Sequence, residues 1–484
     1  PDWCLSRQRH WGVPIPALEC EGCGGHHKLF SEVIDSLATI TKVEGTDAWF
    51  KHEIKDFLPQ GFACPDCGQN KFKRTDDILD VWFDSGISCQ AVIRGRLGKE
   101  LPVDLYLEGS DQHRGWFQSS LIPAVALDSK PPFKAVLTHG FVVDGNGRKM
   151  SKSMGNVISP QNIIKNSGAD ILRLWVASSL YNEDIRASQE TFSRLSDSYR
   201  KIRNTARYLL GNLNAFDSQK DTLDYEDLLD IDKWALGRLK TVIDSVKKHF
   251  DAYEFAKVYK NIYVFCNEDM SSFYLDILKD RLYTSAAQSK ERRSAQTVLF
   301  HILNHLVRVI APIICFTAEE IFLEMPKDVQ SRDVQSVHML PWVDCLEQWD
   351  NKAIEEKFAL LVAIRPYVLK ALEDKRRTGD IGSALEARVI FTTSSPRDLA
   401  YLKDNQEMLP SSFMVSQVEV CQAPNTIDQG LGGEFSQTTI NIEKSNGRKC
   451  GRCWNYRDDV GKDREHETLC AHCTEIVKEI VNAC

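Results

Sequence analysis

Long hydrophobic runs are missing from this chain of 484 residues. No apolar stretch approaches the ~18–20 residues that a membrane-spanning helix needs, so no membrane partner is expected. A strong charge of either sign is missing as well: 60 lysines and arginines stand against 68 aspartates and glutamates, a net charge of −8. That balance argues against indiscriminate nucleic-acid binding, and a nucleic-acid partner would have to be met by local basic patches. There is no internal repeat and no low-complexity tract, and Pro1-Asp2 opens on no basic or apolar leader that would suggest secretion. What remains is the 43% hydrophobic and 26% charged composition of a globular protein. Its length calls for three or more domains, because single cores stop growing near ~250–300 residues.

Cysteine, by contrast, is plentiful, with fifteen in the chain. Eight form four Cys-x-x-Cys pairs; Cys4, Cys89, Cys266, Cys315, Cys345, Cys421 and Cys484 are scattered. An odd count with tight pairs fits a reduced cytoplasm and metal binding better than a disulfide framework. Cys20/Cys23 and Cys64/Cys67 read as two zinc knuckles, each second cysteine being followed by a glycine that lets the backbone turn and donate N–H groups to sulfur. Four thiolates close a tetrahedral structural site with no open position for catalysis. His26 and His27 are possible substitutes for one ligand, and free reduced cysteines are the alternative reading. Cys450/Cys453 and Cys470/Cys473, separated by sixteen residues, have the spacing of a second zinc module, with His466 and His472 as competing ligands. Around it Lys444, Arg448, Lys449, Arg452, Arg457, Lys462 and Arg464 surround Trp454 and Tyr456. Such a surface can hold a phosphate backbone and stack a base, or it is merely a solvated face.

From about 75 to 185 short apolar runs alternate with amphipathic segments, as in an open parallel α/β sheet whose ligands bind past the carboxyl ends of the strands. Leu105–Leu107 and Ala135–Leu137 read as buried strands, and Trp116 to Leu127 as a helix that Pro123 kinks or ends. Glu108, Gly109, Asp111 and Gln112 directly follow the first strand, so their polar groups should line a crevice. Glycine at 109 lets the main chain approach a ribose or a base closely. Thr138 to Asp144 is strand-like, and Asp144-Gly145-Asn146-Gly147 is a turn signal. The run that follows, Gly147 to Asn156, carries Lys149, Ser151 and Lys152 among small residues. Two ammonium groups and two hydroxyls on a mobile loop suit a polyphosphate whose charge grows during reaction; a solvated basic loop is the plain alternative.

From about 190 the apolar period becomes 3.6, with Leu195, Tyr199, Ile202, Ala206, Leu209 and Leu213 on one helix face. Arg200, Arg203 and Arg207 form a second stripe that either tracks a nucleic-acid backbone or faces solvent. Further helices are expected near 228–250, 253–278, 290–311 and 317–324, the last opened by a capping box at Thr317 to Glu320 and set apart by Pro312. A helix near 352–375, a strand from Ala387 to Thr392 and a linker over 422–436 suggest a small α+β unit before the second cysteine module.

The string Gly-Arg-Lys-Met-Ser-Lys-Ser-Met-Gly-Asn from Gly147 to Asn156 resembles the Lys-Met-Ser-Lys-Ser signature of the class I aminoacyl-tRNA synthetases. Three more runs are similar to the isoleucyl branch of that family: Trp3 to Pro14, Asp80 to Gly86, and Glu108 to Phe117. The resemblance extends from Asp2 to about Cys473. It implies a Rossmann-like nucleotide-binding half domain with a zinc-knuckle insertion, followed by an all-α anticodon-binding bundle, a small α+β subdomain and a C-terminal zinc module. The expected bounds are 1–74 for the segment with the insertion, 75–190 for the half domain, 191–348 for the bundle, 349–443 for the subdomain and linker, and 444–484 for the zinc module.

By that resemblance, the chain serves ATP-dependent activation of isoleucine and its transfer to tRNA(Ile). Lys152, and secondarily Lys149, are expected to stabilise the β and γ phosphates of ATP, which enters as substrate with Mg2+. Glu108 contacts the adenylate; Gly109, Asp111 and Gln112 lie near its ribose; Ser151 belongs to the loop. Trp82 and Trp116 are candidates for the wall that measures the isoleucine side chain, although tryptophans are more often plain core. His139 is either near ATP or structural. One or two zinc ions per chain are expected. The family's His-x-Gly-His motif is not in the sequence, and the editing domain is absent too, so the chain reads as a fragment or one part of a split enzyme. Its partner would then be the missing N-terminal half, and the complete enzyme is expected to be a cytoplasmic monomer. The alternatives are a non-catalytic tRNA-binding module derived from such an enzyme, or an unrelated zinc-dependent nucleic-acid-binding protein.

Overall fold

The computed structural model describes residues 2–24, 28–326, 334–342 and 344–483. His26, His27 and Cys484 lie outside the described residues. The chain divides into two compact units: residues 1–143 with 181–185, and residues 144–180 with 186–484.

In the first unit, Ala17–Cys20 is the centre of a three-stranded antiparallel sheet between Lys28–Leu29 and Phe72–Arg74. The helices Ser31–Glu44, Ala48–Lys51 and Ile54–Phe57 accompany it. Leu18, Val33, Leu37, Trp49, Phe57 and Phe72 pack with Cys20 and Cys64 into a core of their own. Beyond it, Ser6–Arg7 pairs antiparallel with Ile78–Leu79. The buried Asp80 carboxylate accepts from Trp3 Nε1 at 3.0 Å and Arg7 Nη2 at 2.6 Å, which ties the first residues to the Val81–Gly86 helix. Burial alone would raise this carboxyl; these donors and the Trp82 N–H outweigh it and hold its pKa below the ordinary value.

The expected α/β element is a parallel pair, Val103–Gly109 with Phe133–His139, joined through the helix Trp116–Asp128. Pro123, expected to kink or end that helix, lies inside it and does not end it. Proline removes the N–H that would serve the Ser119 carbonyl, and Gly86 backs onto that carbonyl: a Cβ added there would fall 2.1 Å from it. The strands are also less covered than their apolar character suggests, for Tyr106 is buried while Leu107 is 51% and Val136 38% exposed. Among the described residues these two strands pair only with each other, so no further strand flanks them as it would in a full parallel sheet.

The second unit opens with the lysine loop and the helices Pro160–Ser167 and Ala169–Ser178. Then come Gln189–Asn212, Asp230–Asp251 and Phe255–Val264, a π-helical stretch over Phe265–Tyr274, and Leu275–Thr284, Lys290–Ile310 and Cys315–Glu324. The helix expected near 253–278 is thus several segments joined through a π-helical turn. Leu195, Ile202, Ala206, Leu209 and Leu213 are buried, as the 3.6 period requires. A buried carboxylate, Asp232, is fully engaged by Tyr274 Oη at 2.7 Å, both Arg281 Nη groups and Ser294 Oγ at 2.5 Å, so its charge is compensated inside the bundle.

The capping box read at Thr317 is not formed. The helix begins at Cys315 and its N-cap residue, Ile314, has no polar side-chain atom to offer. Asp170, from the Ala169–Ser178 helix, accepts instead from the N–H groups of Phe316 and Thr317 at 3.3 and 2.8 Å. After the long helix Lys352–Thr378, Ala387–Thr393 forms the centre of a sheet, parallel to Gln417–Gln422 and antiparallel to Thr438–Lys444. The 422–436 stretch, expected as a linker, is built into this sheet's edge: Phe435 is buried, and Gly430 lies against three carbonyl oxygens. Arg448–Lys449 and Tyr456–Arg457 then form a two-stranded ribbon, and Ala471–Ala483 a closing helix.

Candidate functional site

Three groups of side chains were singled out by the sequence: a strand-end crevice, a lysine loop and two cysteine clusters, each cluster assembled within one unit. The first lies past the carboxyl end of Val103–Gly109, where Glu108 and Gly109 pair in register with Thr138 and His139. Glu108 is exposed, and among the described residues it has no ion-pair partner. At Gly109 the approach is close: a Cβ there would fall 2.6 Å from Asp111 Oδ1, which would have to shift, and 3.7 Å from His139 Cε1. The Ser110–Arg114 turn leads to Gly115, whose own missing Cβ would meet Gln112 Oε1 at 2.5 Å and Trp82 at 3.2 Å. So Asp111 and His139 gather around one glycine, and Gln112 and Trp82 around the other.

Within this group Gln112 caps the next helix, its Oε1 accepting from Trp116 N at 2.9 Å while its Nε2 donates to Asp111 Oδ2 at 3.0 Å. Trp116 is fixed by contacts the sequence did not reveal. Its ring stacks on Tyr106 at 4.2 Å and 3° between planes, and its Nε1 donates to Ser85 O at 3.0 Å. One face of that indole is therefore covered by Tyr106, whereas Trp82 is 43% exposed. His139 donates from Nδ1 to Gly140 O at 2.8 Å.

The second group is the lysine loop. Its freedom is less than a run of small residues suggests, because Asp144 and Asn156 lace its two ends together. Asp144 Oδ1 accepts from Asn146 N and Arg148 N, both at 2.9 Å, and its Oδ2 accepts from Asn156 Nδ2 at 3.0 Å. Asn156 also donates to Lys149 O and accepts from Ser151 N at 2.9 Å. The Asn156 hydrogen bond, followed by those of the backbone, holds the Asp144 carboxyl below the ordinary carboxylate range. Ser151 Oγ caps the short turn Lys152–Met154, which Gly155 closes at φ 65°. Lys149 and Lys152 are exposed, and among the described residues neither has an ion-pair partner. The frame is fixed and the two ammonium groups project from it. The sequence signal for Asp144 was its turn motif; nothing local announced Asn156 as the lace.

The third group is the pair of cysteine clusters. In each, one sulfur per cysteine lies within 4.8 Å of the others. Cys20–Cys67 and Cys23–Cys64 Sγ separations are 3.5 and 3.9 Å, and Cys453–Cys470 is 3.9 Å. A tetrahedron with Zn–S bonds of ~2.3 Å has edges of about 3.8 Å, so both donor sets fit zinc. Once bound, zinc supplies a closed structural cross-link. The expected knuckle turns are present, with Gly24 at φ 57° and Gly68 at φ 71°. At the corresponding place after Cys453 stands Trp454 at φ 64°, 60% exposed. Backbone N–H groups reach the sulfurs: Gly22 N donates to Cys20 Sγ and Cys470 N to Cys450 Sγ, each at 3.4 Å. Burial raises the Cys450 thiol, yet the N–H groups of Cys453, Arg452 and Cys470 outweigh it and bring it down to about 6.

Of the basic residues around this cluster, Arg452 is committed to the Thr284 carbonyl. Arg448 and Arg457 stand opposite one another on the ribbon, and Lys449 Nζ lies 5.6 Å from the Trp454 ring centre. Of the arginine stripe on the Gln189–Asn212 helix, Arg200 pairs with Asp197 and Arg203 bidentately with Glu320.

Comparison with known proteins gives three matched ranges. Residues 1–188 match the tRNA synthetases of class I (I, L, M and V), residues 232–391 the anticodon-binding domain of tRNA ligases, and residues 447–476 the zinc finger found in FPG and IleRS. The first 188 residues are thus similar to class I tRNA synthetases. The isoleucine–tRNA ligase of Syntrophotalea carbinolica is 47% identical over 480 residues, 99% of this chain and 51% of the relative. That of Caldanaerobacter subterraneus is 48% identical over 480 residues, with the same shares covered. A solved LeuRS of Agrobacterium radiobacter, in a ternary complex with tRNA and LeuAMS, shares the fold over 92% of this chain and 51% of its own, at a TM-score of 0.52 and 18% identity. Along nearly its whole length the chain is similar to isoleucine–tRNA ligases. It spans about half the length of the curated relatives it matches. Among the described residues no helix is long and apolar enough to cross a membrane.

Proposed function

We propose that this chain is the C-terminal portion of an isoleucine–tRNA ligase, carrying the lysine loop, half of the adenylate crevice and the tRNA-binding regions. In the reaction, an oxygen of the isoleucine carboxylate attacks the α-phosphorus of ATP; the bond to the bridging oxygen breaks and pyrophosphate leaves. A ribose hydroxyl of the terminal adenosine of tRNA(Ile) then attacks the acyl carbon and expels AMP. Neither step requires a protein nucleophile. Lys152, with Lys149 beside it, stabilises charge on the β and γ phosphates as the bond breaks. Glu108, Gly109, Asp111 and Gln112 receive the adenylate, Trp82 and Trp116 border the side chain, and His139 and Ser151 hold the crevice and the loop in shape. One methylene in such a pocket is worth only ~1–3 kcal/mol, so discrimination against valine is partial.

The observation that carries this reading is the identity of 45–48% to isoleucine–tRNA ligases along essentially the whole chain, lysine loop included. The apolar surface of the first unit supports it too. Leu107 and Val136 on the strands, with Ile122 at 47% and Leu127 at 68% exposure on the intervening helix, suit cover by the polypeptide that the longer relatives carry. The helices over 191–348 are assigned to the anticodon stem, 349–443 to a connecting subdomain, and 444–484, with Trp454, Lys449, Arg448 and Arg457, to RNA contact. The test supplies the missing N-terminal half and measures isoleucine-dependent pyrophosphate exchange. Lys152→Ala is expected to slow exchange ~10²–10³-fold while isoleucine affinity changes little. An unchanged rate would refute the role of Lys152, and a pair that binds tRNA without exchange would point to the non-catalytic module.

A further inference from the structure

The lysine loop hangs between two helices. On its upstream side, Gly145 and Gly147 lie against Ser188 and Arg186, at the start of the Gln189–Asn212 helix, which Ser188 caps through Thr191 N at 3.2 Å. On its downstream side the chain passes through Pro160–Ser167 into Ala169–Ser178. These two helices meet at one hydroxyl of the bundle, Thr317. Its Oγ1 donates to the buried Asp170 at 2.6 Å, and because that uses its only proton it must accept from Tyr199 Oη, 2.8 Å away. Tyr199 in turn accepts from Arg203 Nη1 at 3.4 Å, and Arg203 is anchored on Glu320 by two bonds of 2.6 Å. The chain of donors thus runs in one direction, Arg203 to Tyr199 to Thr317 to Asp170, an order in which each bond polarises the next.

One turn after Asp170, Arg173 donates to the carbonyls of Pro312 and Ile313 at 2.8 and 2.7 Å. The Ala169–Ser178 helix therefore holds both sides of the bundle's 310–317 corner: carbonyls through Arg173, amides through Asp170, each charge matching the helix end it meets. A local cap at residue 314 would satisfy those amides as well, without tying the two segments together.

We propose that Thr317 is a positioning residue for Lys152: through Asp170 and Tyr199 it locks the two helices that frame the lysine loop onto the bundle in a single register. This rests on the reading of the loop given above. The bundle, which that reading assigns to tRNA, then sets the position of the phosphate-binding ammonium groups through hydrogen bonds of fixed geometry.

Amide hydrogen exchange on this chain tests the idea directly, since Arg148, Ser151 and Met154 have protected N–H groups inside the loop. Thr317→Val is expected to speed exchange over 144–156 by ~3- to 10-fold, Tyr199→Phe by less, and Thr317→Ser to remain within about two-fold of the native rate. Faster exchange confined to 314–320 overturns the proposal, and so does a serine variant as fast as the valine one. If Thr317→Val does not fold, Tyr199→Phe decides by the same comparison. With the N-terminal half supplied, Thr317→Val should lower kcat several-fold at unchanged KM for isoleucine. A wild-type pair that makes no adenylate would sink the ligase reading, while the exchange data would still judge the network.

Discussion

Two clusters of four cysteines share one ligand chemistry and differ in what stands behind it. Around Cys20, Cys23, Cys64 and Cys67 the protein has a hydrophobic core of Leu18, Val33, Leu37, Trp49, Phe57 and Phe72, and two of the four cysteines, Cys23 and Cys67, are exposed. Around Cys450, Cys453, Cys470 and Cys473 the buried cluster contains only Val460 besides cysteine, with Leu469 partly buried beside it. In the first module a metal ion clips two turns onto a core that already exists. In the second the ion would be the core. Small units of this kind fold only when metal binding supplies what apolar burial does not.

The sharpest way to break that contrast is to remove one ligand from each. Cys470→Ser should cost the whole zinc-binding free energy, on the order of 10 kcal/mol. The 447–483 segment should then lose its fold and one zinc, read as metal stoichiometry and proteolytic cleavage. Cys67→Ser should also lose one zinc but leave the helices of residues 31–57 resistant to protease. If both segments unfold alike, the contrast is wrong. The converse substitution comes next in size: Trp49→Ala, which empties a fully buried site, should destabilise the first module by ~3–5 kcal/mol with all four cysteines intact. A denaturation curve shifted by less than ~1 kcal/mol would mean that the metal dominates there too.

Backbone conformation sharpens the comparison further. Gly68 and Trp454 both stand directly after a ligand cysteine in the left-handed region, at φ 71° and 64°. An added Cβ at Gly68 meets nothing within 4 Å, so Gly68→Ala should cost only the backbone term, ~1 kcal/mol. Trp454→Gly should act in the opposite direction, relieving strain of similar size, while weakening RNA binding if the exposed indole stacks on a base. Calorimetry and a salt-controlled RNA titration read the two outcomes separately. The smallest effect belongs to the lysine clasps at the surface, Lys28 to Asp66, both exposed, and Lys478 to the half-buried Asp463. The Lys478 hydrogen bond holds the Asp463 carboxyl below its ordinary pKa. That support is therefore complete above the unfolded carboxylate value and fades as pH falls through the lower folded one. Lys478→Ala should leave melting at neutral pH unchanged within error, and a large shift would contradict the ordinary weakness of surface pairs.

Much of this architecture could be read along the chain. The apolar positions from Leu195 to Leu213 announced their helix because a repeat of 3.6 leaves few other ways to bury them. The paired cysteines announced their clusters because two intervening residues suffice to bring both sulfurs to one ion. The turn at Asp144 to Gly147 was equally plain. Less legible were the partners. Trp116 is a sound wall candidate by its place in the run, yet that place gave no hint that Tyr106 covers one of its faces. The capping signal at Thr317 pointed to a local box, and a carboxylate 147 residues earlier in the chain took that part. Pro123 read as a kink or an end of its helix; it lies inside the helix, and Gly86 is backed against the Ser119 carbonyl that the proline cannot serve.

The sequence by itself determined the chemistry available: eight paired thiols, a loop with two lysines, and a strand ending in Glu108 and Gly109. Those are matters of spacing within a few residues, where chain geometry leaves little freedom. Only the tertiary structure decided which polar groups satisfy one another across long loops, which strands remain uncovered, and which of two cysteine modules has a core without its metal. Such contacts depend on how whole elements pack, and many different sequences separated by a hundred residues can meet the same unsatisfied amide.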